Sequence, residues 1–159
     1  EVRYIPGDLW PVNEPFVRFF PELFLRNERL IFDLELDGGS GMAGGRVYVV
    51  MVGAFNVGRM TTHLLPGFAT NDHALREISR LTSQDGSQAG SQKVWFLGGK
   101  PGSDAVKPVS VEAGEELGAF LLGSTVVMVM NEAAREFLGP VQSSGNKSIL
   151  MGQALNLPN

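Results

Sequence analysis

The chain has 159 residues, and its 13 Lys and Arg against 17 Asp and Glu give a net charge of -4 at pH 7. This length suits a single domain, residues 1–159, with a sizeable core, and the acidic balance argues against a nucleic-acid-binding protein. Because the chain has no cysteine, disulfides, thiolate metal sites and a cysteine nucleophile are excluded.

The N-terminal segment combines a turn signal with closely spaced aromatic residues. The Pro6-Gly7 pair predicts a tight turn, which Asp8 is expected to stabilise through its side chain rather than to transfer a proton. From Trp10 to Phe24, prolines interrupt the chain too often for a long helix. This aromatic arm can pack in a core or face a membrane, and core packing is favoured.

The next part of the chain predicts a β-hairpin. Apolar and charged residues alternate over residues 29–37, as in a half-buried strand. A glycine-rich turn comes next, and the β-branched run at residues 46–52 has the length of a strand covered on both faces. Residues 53–58 (GAFNVG) are expected to continue extended, with a bulge or a close backbone approach at the glycines. Residues 26–29 (RNER) fit either a lipid headgroup contact or a salt-bridged loop.

Later segments predict another helix and several short strands. Residues 71–81 have a capping residue and apolar residues near helical spacing, and residues 82–92 form a low-complexity segment expected to be a mobile loop. Strands are expected at residues 94–97, 106–111 and 125–130, and a capped helical turn at residues 131–138. Together these patterns predict a mainly β fold, a barrel or sandwich of short antiparallel strands with one or two short helices. The longest apolar stretch, residues 47–55, is too short for a membrane-spanning helix.

The most specific pattern lies at residues 114–126 (GEELGAFLLGSTV). A Gly123-Ser124 bond stands at the head of a β-branched run and is approached through spaced glycines, a position where a serine could cut its own backbone. This peptide, with Leu122 before the bond and Thr125 after it, resembles the self-cleavage site of phosphatidylserine decarboxylases. Four further blocks resemble the same family in the same order: residues 4–13 (YIPGDLWPVN), 23–29 (LFLRNER), 52–58 (VGAFNVG) and 152–155 (GQAL).

The resemblance implies an enzyme that makes a pyruvoyl cofactor from Ser124. As the self-cleavage nucleophile, Ser124 would attack the Gly123 carbonyl, and elimination and hydrolysis would leave a β piece of residues 1–123 and an α piece of residues 124–159. The pyruvoyl group would then form a Schiff base with the substrate amine and withdraw the electrons released with carbon dioxide. This interpretation requires no metal and no cofactor from outside the chain.

The same resemblance implies a substrate, a location and a further region. Phosphatidylserine would be converted to phosphatidylethanolamine at a membrane surface, in the mitochondrial inner membrane or, as the alternative, a bacterial inner membrane. A homo-oligomer is expected, and nucleic acid is not expected as a partner. In the family, an aspartate and a histidine that activate the serine lie before the first block, so we expect the family's N-terminal part to be absent here. We therefore expect this chain alone to stay an unprocessed, inactive zymogen.

Other interpretations are open or disfavoured. His63 and His73 are the two histidines of the chain, and neither lies in a block that matches the family's histidines, so catalysis by either is disfavoured. A phosphate loop at Gly53 and Gly58 is rejected because no lysine or strand-loop-helix context accompanies them. Two alternative functions stay open: a processing-dead module of the family that binds a membrane or a partner, and a relative that decarboxylates a free amino acid.

Overall fold

The computed structural model of the chain describes residues 1–37, 44–71, 95–97, 109–123, 125–138 and 150–153, with residues 95–97 as backbone only. The strands are β1 (Val2–Ile5), β2 (Arg29–Glu35), β3 (Arg46–Val52), β4 (Met60–Thr61), β5 (Trp95–Leu97), β6 (Ala119–Phe120) and β7 (Val126–Met130). The helices are α1 (Glu14–Phe19), α2 (Leu23–Arg26) and α3 (Glu132–Leu138).

The strands form two sheets. Five of them lie in the order β5-β1-β2-β3-β7, and β4 pairs with β6 in a two-stranded sheet. Strand β1 is antiparallel to both neighbours, so that Val2 lies opposite Phe32 of β2 and Leu97 of β5. The predicted mainly β class of antiparallel strands is confirmed, with three short helices and no closed barrel among the described residues.

The chain divides into two compact units. The first comprises residues 1–32 and 49–127, and its core contains the fully buried side chains of Leu30, Phe32 and Met60. Burying each of these side chains away from water contributes roughly 1.5–3 kcal/mol to the stability of the folded chain. The second comprises residues 33–48 and 128–159, and its buried apolar side chains include Val47 and Ala134.

The two strands of the predicted hairpin are present as β2 and β3, while residues 38–43 of the turn lie outside the described residues. The simple alternation expected for β2 is wrong, because Arg29 and Asp33 are buried as well. The Arg29 guanidinium donates hydrogen bonds to the carbonyls of Phe24, Leu25 and Asn27. Asp33 pairs with Arg46 at 3.1 Å. Paired in this way, charged residues can occupy the covered face of the strand.

The late strand and the capped helix are confirmed as β7 and α3. The Asn131 side chain caps α3, because its Oδ1 accepts a hydrogen bond from the Ala134 N–H at 3.0 Å. The strand predicted at residues 94–97 is present as β5 over its described part. The strand predicted at residues 106–111 is wrong for residues 109–111, which are not extended in a sheet, and its first part lies outside the described residues.

Strand β1 was not predicted, and the tight turn expected at Pro6-Gly7 is wrong. The Asp8 N–H instead donates to the Arg26 carbonyl at 2.9 Å, and the Glu28 N–H donates to the Asp8 carbonyl at 2.9 Å. A Cβ on Gly7 would lie 2.4 Å from the Arg26 carbonyl oxygen. The glycine is therefore needed for a close approach of two backbone segments rather than for a turn.

The aromatic arm contains two short helices in place of a long one, as its prolines predict. Asn13 caps α1 by accepting from the Phe16 N–H at 3.1 Å, and no residue of α1 is buried. The expected core packing is wrong for Trp10 and Phe19, which are 38% and 81% exposed, whereas Phe16, Phe20 and Phe24 are half-buried. Trp10 and Phe16 each pack on Phe20 near the surface, with ring centroids 5.1 and 5.4 Å apart.

Two remaining expectations, the helix at residues 71–81 and the loop at residues 82–92, reach beyond the described residues. Asn71, which with Asp72 was one of two candidate caps of the expected helix, lies in a turn with a left-handed φ of 56°, and residues 72–81 and 82–92 are outside the described part. Within the described ranges, none of the helices combines the length and the apolar character needed to cross a lipid bilayer.

Candidate active site

The Gly123-Ser124 bond lies between two strands of different sheets, because β6 ends at Phe120 and β7 begins at Val126. Ser124 itself lies outside the described residues, so the site is built from its neighbours. Leu122 is 67% exposed, Gly123 is exposed and Thr125 is half-buried. The peptide that precedes Ser124 is thus open to solvent.

Gly123 has a backbone conformation that other residues rarely adopt, with φ at +67°. A Cβ at this position would also lie 2.8 Å from Cγ2 of Val57. For a residue with a side chain, the left-handed region costs roughly 1–2 kcal/mol before the clash is counted. Glycine at position 123 is therefore required by two separate features of the structure.

Residues 52–60 hold the chain on both sides of Ser124. The Val52 N–H donates a hydrogen bond to the Thr125 carbonyl at 2.9 Å, and the Leu121 N–H donates to the Arg59 carbonyl at 3.1 Å. Between these anchors the expected extended conformation is wrong. The chain turns back on itself, and the Val57 N–H donates to the Ala54 carbonyl at 2.7 Å.

A fully buried asparagine fixes the start of this turn. The amide nitrogen of Asn27 donates to the Gly53 carbonyl at 2.9 Å and to the Trp10 carbonyl at 2.8 Å. Its amide oxygen accepts from the Trp10 N–H at 3.0 Å. The Gly53 N–H in turn donates to the Glu28 carbonyl at 2.9 Å, so residues 27 and 28 hold both polar backbone groups of Gly53.

Glu28 is 1% exposed, and its carboxylate accepts three side-chain hydrogen bonds. They come from the Tyr4 hydroxyl at 3.0 Å, the Thr70 hydroxyl at 3.1 Å and the Asn71 amide at 2.9 Å. Burial raises the pKa of Glu28, and the three hydrogen bonds act in the opposite direction. Burial, followed by the nearby Glu28 carboxylate, raises the pKa of Tyr4.

Asn71 extends this network to the end of the turn. Its amide nitrogen also donates to the Gly58 carbonyl at 2.7 Å. Asn27, Glu28 and Asn71 therefore hold the two ends of residues 53–58, the turn that lies beside Gly123. From the sequence, Asn27 and Glu28 were considered only as part of residues 26–29, and Asn71 only as a candidate helix cap.

The structure corrects the sequence interpretation of residues 26–29. Asn27, Glu28 and Arg29 are buried, which rules out a lipid headgroup contact by these three side chains. Burial also lowers the pKa of Arg29. A salt bridge of this loop joins the exposed Arg26 and Asp8, whose Nε and Oδ2 atoms are 3.9 Å apart. Asp8 also accepts a hydrogen bond from the Trp10 indole N–H at 3.0 Å.

His63 lies in an open depression of about 610 Å³ that Arg59 and Leu121 also line. Its Nε2 is 3.4 Å from Oε1 of Glu115, and both side chains are partly exposed. His73 lies outside the described residues. Among the described residues, no group of three His, Asp or Glu side chains is arranged to hold a metal ion.

A family model described as phosphatidylserine decarboxylase matches residues 1–156, which include the segment on both sides of Ser124. The chain therefore belongs to the phosphatidylserine decarboxylase family. This agrees with the resemblance seen in its sequence blocks. No solved structure matches the chain significantly.

Curated relatives include bacterial and mitochondrial proteins. The chain is 36% identical over 139 residues to the phosphatidylserine decarboxylase proenzyme of Alcanivorax borkumensis. This match covers 86% of the chain and 37% of that relative. It is 34% identical over 159 residues to the mitochondrial phosphatidylserine decarboxylase proenzyme 1 of Saccharomyces cerevisiae, covering 98% of the chain and 27% of the relative. The chain thus spans well under half the length of these relatives.

Proposed function

We propose that the chain is the single-domain portion, residues 1–159, of a phosphatidylserine decarboxylase that contains the self-cleavage site, with Ser124 as the precursor of a pyruvoyl group. Gly123 carries the proposal. It is an exposed glycine in a left-handed conformation directly before a serine, within a chain whose family match includes both residues. Its peptide carbonyl has no neighbouring side chain on the same residue to shield it from an attacking hydroxyl.

Self-cleavage is consistent with the chemistry of the two residues. The Ser124 hydroxyl loses its proton to a base and attacks the Gly123 carbonyl carbon, and the peptide C–N bond breaks as an ester forms. Elimination then breaks the Cβ–Oγ bond of Ser124, releasing the Gly123 carboxylate and leaving dehydroalanine. Water hydrolyses the dehydroalanine to a pyruvoyl group and ammonia. One chain becomes two pieces, residues 1–123 and 124–159.

The neighbours of Ser124 contribute orientation. The hydrogen bonds from Leu121 to Arg59 and from Val52 to Thr125 limit how far the chain on either side of Ser124 can move. Restricting the motion of the chain around a nucleophile lowers the entropic part of the barrier to attack. These hydrogen bonds on either side of Ser124 support the proposed self-cleavage step, in which Leu122 and Thr125 flank the reacting pair.

In the finished enzyme, the pyruvoyl group supplies a carbonyl that bonds to the substrate amine and accepts the electrons released with carbon dioxide. The proposed substrate is phosphatidylserine, because the relatives are named phosphatidylserine decarboxylase proenzymes. The proposed product is phosphatidylethanolamine, in phospholipid biosynthesis. We assign the reaction to a membrane surface, in the mitochondrial inner membrane by analogy with the yeast relative or in a bacterial inner membrane, and expect a homo-oligomer.

Intact-mass spectrometry tests the self-cleavage directly. The chain is purified alone and after co-expression with the part of the Alcanivorax borkumensis relative that precedes the matched region. We expect two pieces that meet at Gly123 and Ser124 in the co-expressed sample, the second with a pyruvoyl terminus. The Ser124→Ala variant should stay uncut. A single uncut mass for the unaltered chain in both samples contradicts the proposal and favours a processing-dead module.

The substrate is tested on the cleaved protein. Release of carbon dioxide is measured with vesicles that contain phosphatidylserine and, separately, with free serine. We expect turnover with the vesicles only. Turnover with free serine and none with vesicles would establish the alternative, a decarboxylase of a free amino acid.

A further inference from the structure

We propose that Asn27, Glu28 and Asn71 are positioning residues for self-cleavage, which hold the turn at residues 53–58 against the chain on both sides of Ser124. This inference rests on the proposed function, and it assigns a role to a polar network, centred on the buried Asn27 and Glu28, that the cleavage chemistry does not itself use. The three side chains do not contact Gly123 in any hydrogen bond of the structure. They act through the backbone of the turn.

The first step is the fixing of the turn at its two ends. The Asn27 amide donates to the Gly53 carbonyl at 2.9 Å, and the Asn71 amide donates to the Gly58 carbonyl at 2.7 Å. Glu28 joins the two because it accepts from Asn71 and its backbone carbonyl accepts from the Gly53 N–H. The bond from Asn71 is to the Glu28 carboxylate, and such bonds are stronger than those between neutral groups, so it holds the end of the turn firmly.

The second step links the position of the turn to the position of the Gly123-Ser124 bond. Gly53 directly follows Val52, whose N–H holds the Thr125 carbonyl at 2.9 Å. Gly58 lies between Val57, which would clash with any side chain at Gly123, and Arg59, whose carbonyl holds the Leu121 N–H. A shift of the turn therefore shifts the residues on both sides of Ser124. A misplacement of about 1 Å at a reacting group can cost roughly 100-fold in rate.

A substitution of Asn71 can distinguish a positioning role in cleavage from a purely structural role in stability. The residue is exposed and its φ of 56° suits glycine, so Asn71→Gly removes both hydrogen bonds without backbone strain. Asn131 is the matched control, an asparagine whose side chain also bonds backbone groups, namely Arg46 N–H, Gly44 carbonyl and Ala134 N–H. None of these three groups belongs to the turn or to the residues whose side chains hold it.

The experiment compares Asn71→Gly and Asn131→Ala in the co-expressed protein. Cleavage at Gly123-Ser124 is followed by mass spectrometry, the melting temperature by thermal unfolding, and the exchange of the Leu121 and Val52 amide hydrogens by mass spectrometry of peptides. We expect Asn71→Gly to slow cleavage about tenfold or more and to speed exchange at both amides. Asn131→Ala should lower the melting temperature at least as much and leave the cleavage rate and both amides unchanged.

Two outcomes would overturn the assignment. Cleavage that slows in both variants in proportion to their loss of melting temperature would show that the network acts through stability alone. Cleavage and exchange at the unaltered rate in Asn71→Gly would show that the turn does not depend on Asn71. If the unaltered protein is not cut, the proposed function fails and the positioning role fails with it, whereas the exchange measurement still reports whether Asn71 holds the turn.

Discussion

At the scale of single residues, Gly123 offers the most direct test of the site. Gly123→Ala places a side chain at φ +67° and brings its Cβ within 2.8 Å of Val57 Cγ2. We expect it to destabilise the local backbone by roughly 1–2 kcal/mol from the conformation alone. Self-cleavage should be slowed about tenfold or more, as measured by mass spectrometry of the co-expressed protein.

A second variant can separate the effect of the left-handed backbone at residue 123 from the effect of the clash with Val57. Val57→Ala removes the methyl group that the new Cβ would meet, so Gly123→Ala combined with Val57→Ala should recover part of the lost cleavage. The strain at position 123 remains, and recovery should be incomplete. Full recovery in the double variant, or unaltered cleavage in Gly123→Ala, would contradict the need for a left-handed residue before the serine.

Glu28 gives a prediction about pH. Because the pKa of Glu28 is raised above its ordinary value of 4.5, the folded protein binds more protons than the unfolded chain just above that pH. The stability from this group is fully present below the ordinary pKa and is lost as the pH rises through the folded pKa. Glu28→Gln stays neutral and should flatten this fall, as measured by urea unfolding from about pH 4 to about pH 8.

The Gln side chain suits this site, because its amide oxygen can accept from Thr70 and Asn71 while its nitrogen donates to the Tyr4 hydroxyl. Glu35→Gln, at the exposed end of the same strand, is the matched control. A fall in stability with rising pH that is equally steep in Glu28→Gln and in the unaltered chain would show that Glu28 is not its source.

The limits of sequence interpretation are visible at the same residues. The Gly123-Ser124 pair was proposed from local pattern and family resemblance, which is possible because the two residues of the proposed cleavage are neighbours in the chain. The role of Asn27 and Glu28 depends on Tyr4, Gly53 and Asn71, which are distant in the chain. A charged block before a strand is usually solvated, and nothing local indicates that a carboxylate there has three hydrogen-bond donors.

At the scale of secondary structure elements, the helices α1 and α2 differ in burial, so they should differ in how much stability an alanine substitution removes. Phe19 of α1 is 81% exposed, whereas Leu23 of α2 is 2% exposed. We expect Phe19→Ala to change the free energy of unfolding by no more than about 0.5 kcal/mol. Leu23→Ala should cost about 2–5 kcal/mol, because it leaves a cavity. Urea unfolding of both variants measures the difference.

A much larger loss of unfolding free energy in Phe19→Ala would show that Phe19 packs in the core, as the sequence predicted. That prediction failed for Phe19 because hydrophobicity alone does not say which face of a short helix is covered. By contrast, β7 and α3 were predicted correctly, since a β-branched run and the Asn131 cap are local signals. Strand β1 was missed because its partners, Phe32 and Leu97, lie far along the chain.

At the scale of the whole molecule, the position of β7 predicts the fate of the two pieces after self-cleavage. Strand β7 begins two residues after Ser124 and lies beside β3 in the five-stranded sheet. The Val52 N–H to Thr125 carbonyl bond would join the two proposed pieces near the cut, and the bonds of Asn131 to Arg46 and Gly44 would join them further along. The proposed cleavage would break none of these hydrogen bonds, so each of them would still hold the α piece to the β piece.

We therefore expect residues 1–123 and 124–159 to remain together after cleavage. With an affinity tag on residue 1 only, both pieces should be retained on the resin in buffer, and the α piece should be released only in about 6–8 M urea, which unfolds most domains of this size. An Asn131→Ala variant should release the α piece at lower urea, because it loses bonds that join the pieces. Loss of the α piece in buffer alone would show that β7 is not held by the sheet once Ser124 has become a chain end.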